Sequence, residues 1–121
     1  MSAYNLQQTY KSYLRAYSDV EPTEREHLLR ESVTDDVISI NPEGESRGIG
    51  ELVKHIEQFQ KQKPGATFKS NKLIAHHDQF LSEWTMYSKD GTAAATAHTY
   101  GRFDEKGLIT YLIGFFEQRE N

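Results

Sequence analysis

The sequence predicts one α+β domain over residues 1–121, with three N-terminal helices packed on a curved antiparallel β-sheet. Three observations point there. Apolar residues recur at helical spacing through the first half of the chain, and after Pro64 the period changes to alternation. Short turns then separate the alternating segments, as in a meander of strands. A chain of 121 residues also lies within the usual size of a single domain, and no linker-like stretch divides it.

Helix one spans about Ala3 to Tyr17, because Leu6, Tyr10, Tyr13, Leu14 and Tyr17 stand three and four residues apart and share a face. A second helix begins near Pro22, with Thr23 and Glu26 at capping-box spacing and Leu28, Leu29 and Val33 on its buried side. Thr34-Asp35-Asp36 suits a turn held by side-chain-to-backbone bonds. The β-branched run Val37-Ile38-Ser39-Ile40 follows as a strand, stopped by Asn41-Pro42-Glu43-Gly44. Helix three runs from about Ile49 to Gln62, with Ile49, Leu52, Val53, Ile56 and Phe59 inward, and ends at Lys63-Pro64-Gly65. Glu51, Lys54, Glu57 and Lys61 give it a solvated, salt-bridge-spaced face. Four strands come last: Phe68 to His77, Gln79 to Ser88, Thr92 to Phe103 and Leu108 to Gln118. Asp90-Gly91 is the strongest hairpin signal among them.

Both faces of these strands are apolar. One parity carries Phe80, Trp84, Met86, Ala93, Ala95, Ala97, Gly101, Phe103, Leu112, Gly114 and Phe116, and it faces the helices. The other carries Leu81, Tyr87, His98, Tyr100, Ile109, Tyr111, Ile113 and Phe115. Left in water it would form a broad aromatic patch, so the expectation is a homodimer through Tyr100, Tyr111, Ile113 and Phe115. A β-bulge would exchange these parities locally.

Composition excludes several classes of function. Fourteen basic against eighteen acidic residues leave a formal charge of −4, with no field to hold phosphates, so neither nucleic acid nor an anionic membrane is expected as a partner. The absence of cysteine removes thiolate nucleophiles, disulfides and zinc–thiolate sites. No cofactor and no metal is expected, since no spacing of histidines and carboxylates suggests converging ligands. The segment Met1 to Tyr10 is polar and does not suggest a signal peptide, and a cytoplasmic protein fits.

His76 to Trp84 (HHDQFLSEW), Ser88 to Gly91 (SKDG) and Phe103 to Phe116 (FDEKGLITYLIGFF) resemble the C-terminal half of SnoaL-like domains. These domains are members of the nuclear-transport-factor-2-like superfamily. Thr34-Asp35-Asp36-Val37, Asn41-Pro42-Glu43-Gly44 and Arg47-Gly48 match the first half in order and spacing. The resemblance implies a cystatin-like cone, a curved sheet wrapped around helices with an apolar cavity open at one end. The family includes ketosteroid isomerases, polyketide cyclases, dehydratases and non-catalytic members, so the fold sets the container and leaves the chemistry undecided.

In the isomerases, a tyrosine on the first helix and an acid on a late strand hold an oxyanion, while a carboxylate ending the first strand moves the proton. Tyr13 matches the tyrosine, Asn41 falls on the base and Thr99 on the late-strand acid. An amide cannot shuttle a proton, and a hydroxyl cannot be tuned like a buried carboxyl, so steroid isomerisation by that route is not expected. Tyr13 with His77 is the acid–base pair to test, although either His76 or His77 would face the cavity, being neighbours on a strand. Tyr17, Asn41, Phe59, Trp84, Thr99 and Phe116 are the expected ligand-binding residues. His98 is expected in the dimer face, and His27 and His55 in solvent. The first functional reading is a protein binding a small apolar or ring-containing molecule, with acid–base chemistry of isomerase, cyclase or dehydratase type. The alternative is a non-catalytic dimeric interaction module.

Overall fold

The computed structural model describes residues 3–116. The helices are α1 (Ala3–Tyr17), α2 (Pro22–Ser32) and α3 (Ile49–Gln62). The strands are β1 (Val33–Asn41), β2 (Gly44–Arg47), β3 (Thr67–His76), β4 (Gln79–Tyr87), β5 (Ala93–Phe103) and β6 (Ile109–Phe115). Three helices cover one face of a single sheet of order β2-β1-β6-β5-β4-β3. The expected α+β layering is the observed one. Of the last expected strand, Glu117 and Gln118 lie outside the described residues.

One strand pair departs from an antiparallel sheet: β1 runs parallel to β6, with Ser39 opposite Leu112. The connectivity explains it. Through α3 the chain passes from one sheet edge to the other, and the meander β3 to β6 then walks back until β6 lies beside β1. Strand periodicity reports which face a residue takes but carries no information about its partner.

Local departures have local causes. Val33 is buried opposite Ile109, so α2 runs straight into β1, and Thr34, Asp35 and Asp36 are strand residues instead of a turn. The Asn41–Gly44 stop is the tight turn of a hairpin, because Gly44–Arg47 pairs back on β1 as β2. Thr23 lies inside α2, whose N-cap is Glu21 without a side-chain bond, so the expected capping box does not form. Pro22 starts the helix instead.

The core gathers Leu6, Tyr10 and Leu14 of α1, Leu29 of α2, Leu52 and Ile56 of α3, and Phe80 and Leu112 of the sheet. The inward parity is as expected except at Ile109 and Ala93, the latter set opposite the outer residue Tyr87 by a register shift between β4 and β5. Between Arg102 and Phe103 the β5–β6 register shifts, so Ile109 pairs with Phe103 and is fully buried in the core, and it is no part of the outer face. Gly101 has a packing reason: a Cβ there would collide with the Phe80 ring and the Tyr111 carbonyl. The sheet edge at β3 is broken between Ser70 and Lys72, where the extra residue Asn71 donates to Thr85 at 2.8 Å and Glu83 at 3.1 Å. A bulge flanked by Lys69 and Lys72 discourages further strand pairing at that edge. Among the described residues, no helix is long and apolar enough to cross a membrane.

Candidate functional site

A cavity of about 1390 Å³ opens between the helices and the inner face of the sheet. Its walls follow from element geometry. Tyr13 and Tyr17 stand one turn apart on α1, Phe59 projects from the last turn of α3, and Trp84, Thr99 and Gly114 face inward from adjacent strands. The aromatic rings form a continuous edge-to-face chain. Tyr17 meets Phe59 at 5.6 Å and Phe68 at 5.4 Å between centroids, Phe68 meets Trp84 at 5.4 Å, and Trp84 meets Phe116 at 6.4 Å. Small residues on the neighbouring strands β5 and β6, Ala95, Ala97 and Gly114, also line it and leave space that the rings do not fill.

Polar groups sit at the floor and the mouth. At the floor, Trp84 Nε1 donates to Thr99 Oγ1 at 2.9 Å, and in the buried core the Tyr10 hydroxyl bonds Ser82 at 2.5 Å. Burial raises the pKa of Tyr10, opposed by its bonds to Ser82 and Thr99. Tyr13 is raised well above its ordinary value by burial and by the neighbouring Tyr17 and Tyr10, with Ser39 opposing. Tyr17 is raised by burial and then by the Glu43 carboxylate, with the Asn41 amide opposing. All three hydroxyls therefore stay protonated at neutral pH and act as neutral hydrogen-bonding groups. At the mouth, Asn41 Oδ1 accepts from the Glu43 backbone N–H at 2.8 Å, and its Nδ2 lies 3.2 Å from His55 Nε2.

Tyr13, Tyr17, Asn41, Phe59, Trp84, Thr99 and Phe116, all expected on sequence grounds, come together in this cavity. His77 does not join them. It is exposed in the β3–β4 turn with a left-handed backbone (φ 54°), and its ring nitrogen lies 3.0 Å from that of His76, which is also exposed. The turn at His77-Asp78 ends the strand one residue before alternation could carry His77 inward. His98 is exposed on the outer face beside Glu83, at 3.6 Å.

Sequence reasoning missed Ser39, Phe68, Glu43 and His55. Ser39 shares parity with Asn41, and His55 stands one helical turn before Phe59, so both carried a usable signal. His55, expected in solvent, is half-buried with its ring 6.3 Å from that of Tyr17. Among the described residues, no cluster of three or more histidines and carboxylates could hold a metal.

A family model described as the SnoaL-like domain matches residues 14–112. Solved structures agree at the level of fold. A candidate isomerase of the SnoaL-like family from Agrobacterium tumefaciens superposes with a TM-score of 0.84 at 20% identity, over 93% of this chain and 97% of that one. A protein of unknown function with a cystatin-like fold from Methylobium petroleophilum gives 0.77 at 12% identity, over 100% and 81%. A candidate polyketide cyclase from Sinorhizobium meliloti gives 0.72 at 13%, over 95% and 100%. At such identities the likeness establishes the fold alone. No curated protein sequence matches the chain.

Proposed function

The chain belongs to the SnoaL-like domain family, and from that membership we propose that it binds a small apolar, ring-containing molecule in the cavity of its cone. The observation that carries this reading is the cavity itself. About 1390 Å³ is walled by Tyr17, Phe59, Trp84 and Phe116, with the neutral hydroxyls of Tyr13 and Thr99 among its lining residues. Apolar walls with a few placed polar groups are the usual composition of a small-molecule site. The chemistry such a site supports is acid–base, of isomerase, cyclase or dehydratase type, with Tyr13 as hydrogen-bond donor to an oxygen that gains charge. Asn41 takes no proton in it.

A thermal-shift screen against steroids, aromatic polyketides, terpenoids and fatty acids tests the reading, with Trp84 fluorescence as the second signal. A ligand at a hundred times its Kd stabilises by about 2.7 kcal/mol, which raises Tm by several degrees in a domain of this size. The same ligand should perturb the single tryptophan. No shift across the panel, from a protein that unfolds cooperatively, would sink the reading.

The outer face of the sheet favours an assembly role beside it. Ile74, Leu81, Tyr100, Ile113 and Ile40 stand directly opposite one another across five adjacent strands. Ile74 is 55% exposed, Leu81 44% and the nearby Phe115 57%. A second copy of the chain, presenting the same row, is the occupant proposed for it.

A further inference from the structure

We propose that His55, with Nε2 accepting from Asn41 and its proton on Nδ1, reads the polar end of the ligand, and that the ligand is an apolar ring compound bearing an uncharged carbonyl or amide head. The inference rests on the ligand-binding reading above and adds the head-group class and the residue that selects it.

Hydrogen bonding fixes the tautomer. The Glu43 backbone N–H can only donate, so the Asn41 atom 2.8 Å from it is the amide oxygen. The amide nitrogen of Asn41 therefore faces His55 Nε2 at 3.2 Å, and two nitrogens at that distance bond only when one lacks hydrogen. An amide N–H₂ always carries its hydrogens, so Nε2 is the acceptor and the imidazole proton sits on Nδ1. Asn41 is thus a positioning residue for His55, on the strand end where the resemblance led one to look for a carboxylate.

The Nδ1–H has somewhere to act. His55, Gln58, Gln62, Pro42, Glu43 and Phe59 line a second hollow of about 390 Å³, and it shares Glu43 and Phe59 with the main cavity. A ligand with its ring among the aromatic residues can therefore extend past Phe59 into a chamber lined by amides and an imidazole. Those groups supply neutral donors to a carbonyl oxygen. Among the described residues Glu43 is the one carboxylate lining the hollow, and it disfavours an anionic head. The groups around His55 are Asn41 from β1, Tyr17 from α1, Glu43 from the β1–β2 turn and Glu51 one turn earlier on α3. Glu51 itself is engaged by the Arg47 backbone N–H at 2.8 Å.

Two measurements on the intact chain test this. Long-range ¹H–¹⁵N NMR at neutral pH should show a protonated Nδ1 and an unprotonated Nε2 for His55; the opposite tautomer overturns the proposal. Binding is then compared for ethylnaphthalene, naphthylacetamide, naphthylacetate and naphthylethylamine, which share a ring body. Naphthylacetamide should bind about tenfold more tightly than naphthylacetate, roughly one well-made hydrogen bond. That ratio should fall below about twofold in His55→Leu. Equal binding of all four, tighter binding of the acid or the amine, or an unchanged ratio in His55→Leu overturns the assignment and leaves the cavity reading standing. Failure of all four, ethylnaphthalene included, overturns both.

Discussion

A single side chain can decide whether two helices meet correctly, and Arg25 does so here. It is 4% exposed, with no carboxylate partner among the described residues. Nε donates to the Ala16 carbonyl at 2.9 Å, and Nη2 donates to the Ser18 carbonyl at 2.9 Å and the Val20 carbonyl at 3.3 Å. These carbonyls belong to the C-terminal end of α1 and the connection after it, where helical partners run out. A cation there also suits the negative end of the helix dipole. Arg25→Ala should lower stability by about 3 kcal/mol in urea unfolding, since it strands the buried Ala16 carbonyl as well as removing bonds. Arg25→Lys should recover less than half of this, because one ammonium cannot replace the fork of the guanidinium. A loss within about 0.5 kcal/mol for Arg25→Ala would refute the role, as that is the range of an ordinary surface change. Nothing in the sequence separated Arg25 from the charged neighbours Glu24 and Glu26. Its burial comes from the docking of α2 on α1, which no local pattern encodes. The absence of His77 from the cavity and the contact of His55 with Asn41 have a similar origin: a turn closes one residue early at the first, and a helix face turns the second towards Asn41.

At the scale of an element, α1 does two jobs with one stripe. Leu6, Tyr10 and Leu14 fill the core, while Tyr13 and Tyr17 continue the stripe into the cavity wall. The tyrosine hydroxyls make the helix sensitive to alkali. Burial, the first cause for all three, raises the pKa of Tyr10, Tyr13 and Tyr17 in the folded state. A raised folded value means that their contribution is fully present below the unfolded pKa of about 10 and is lost as the pH rises beyond it. Each strongly shifted tyrosine then costs about 1.4 kcal/mol of stability per pH unit above that point. Chemical unfolding across the alkaline range should therefore give a flat stability up to about pH 10 and a steep fall above it, shallower by roughly one proton in Tyr13→Phe. Equal slopes for wild type and variant would mean that Tyr13 ionises in the folded state, contrary to its burial.

At the scale of the whole molecule, the sheet serves two surfaces. Its inner face builds the core and the cavity, and its outer face carries the apolar row from Ile74 to Ile40. If that row meets a second copy, wild type should sediment at twice the chain mass, and Leu81→Lys should sediment as a monomer with its cooperative unfolding intact. A wild-type monomer at high micromolar concentration would remove the assembly role. The row has a polar flank, with His98 and Glu83 3.6 Å apart and Tyr100 donating to Gln79 at 2.6 Å, which gives a partner surface some registry.

The sequence by itself determined most of the elements and most of the faces they bury, because periodicity is a local property of the chain. Helix α1 and helix α3 were legible to the residue, and the parity of β4 and β5 followed from alternation. It also supplied most of the cavity wall, since Tyr13, Tyr17, Phe59 and Trp84 are large residues on inward faces. Tertiary structure decided the rest: the parallel pairing of β1 with β6, the bulge that turned Ile109 inward, and the meeting of Asn41 with His55 across two elements. Each of these is a contact between segments far apart along the chain or a shift of a single residue in register. Residue spacing along one strand or helix does not specify such events, so they became visible only once the sheet was closed and the helices were laid on it.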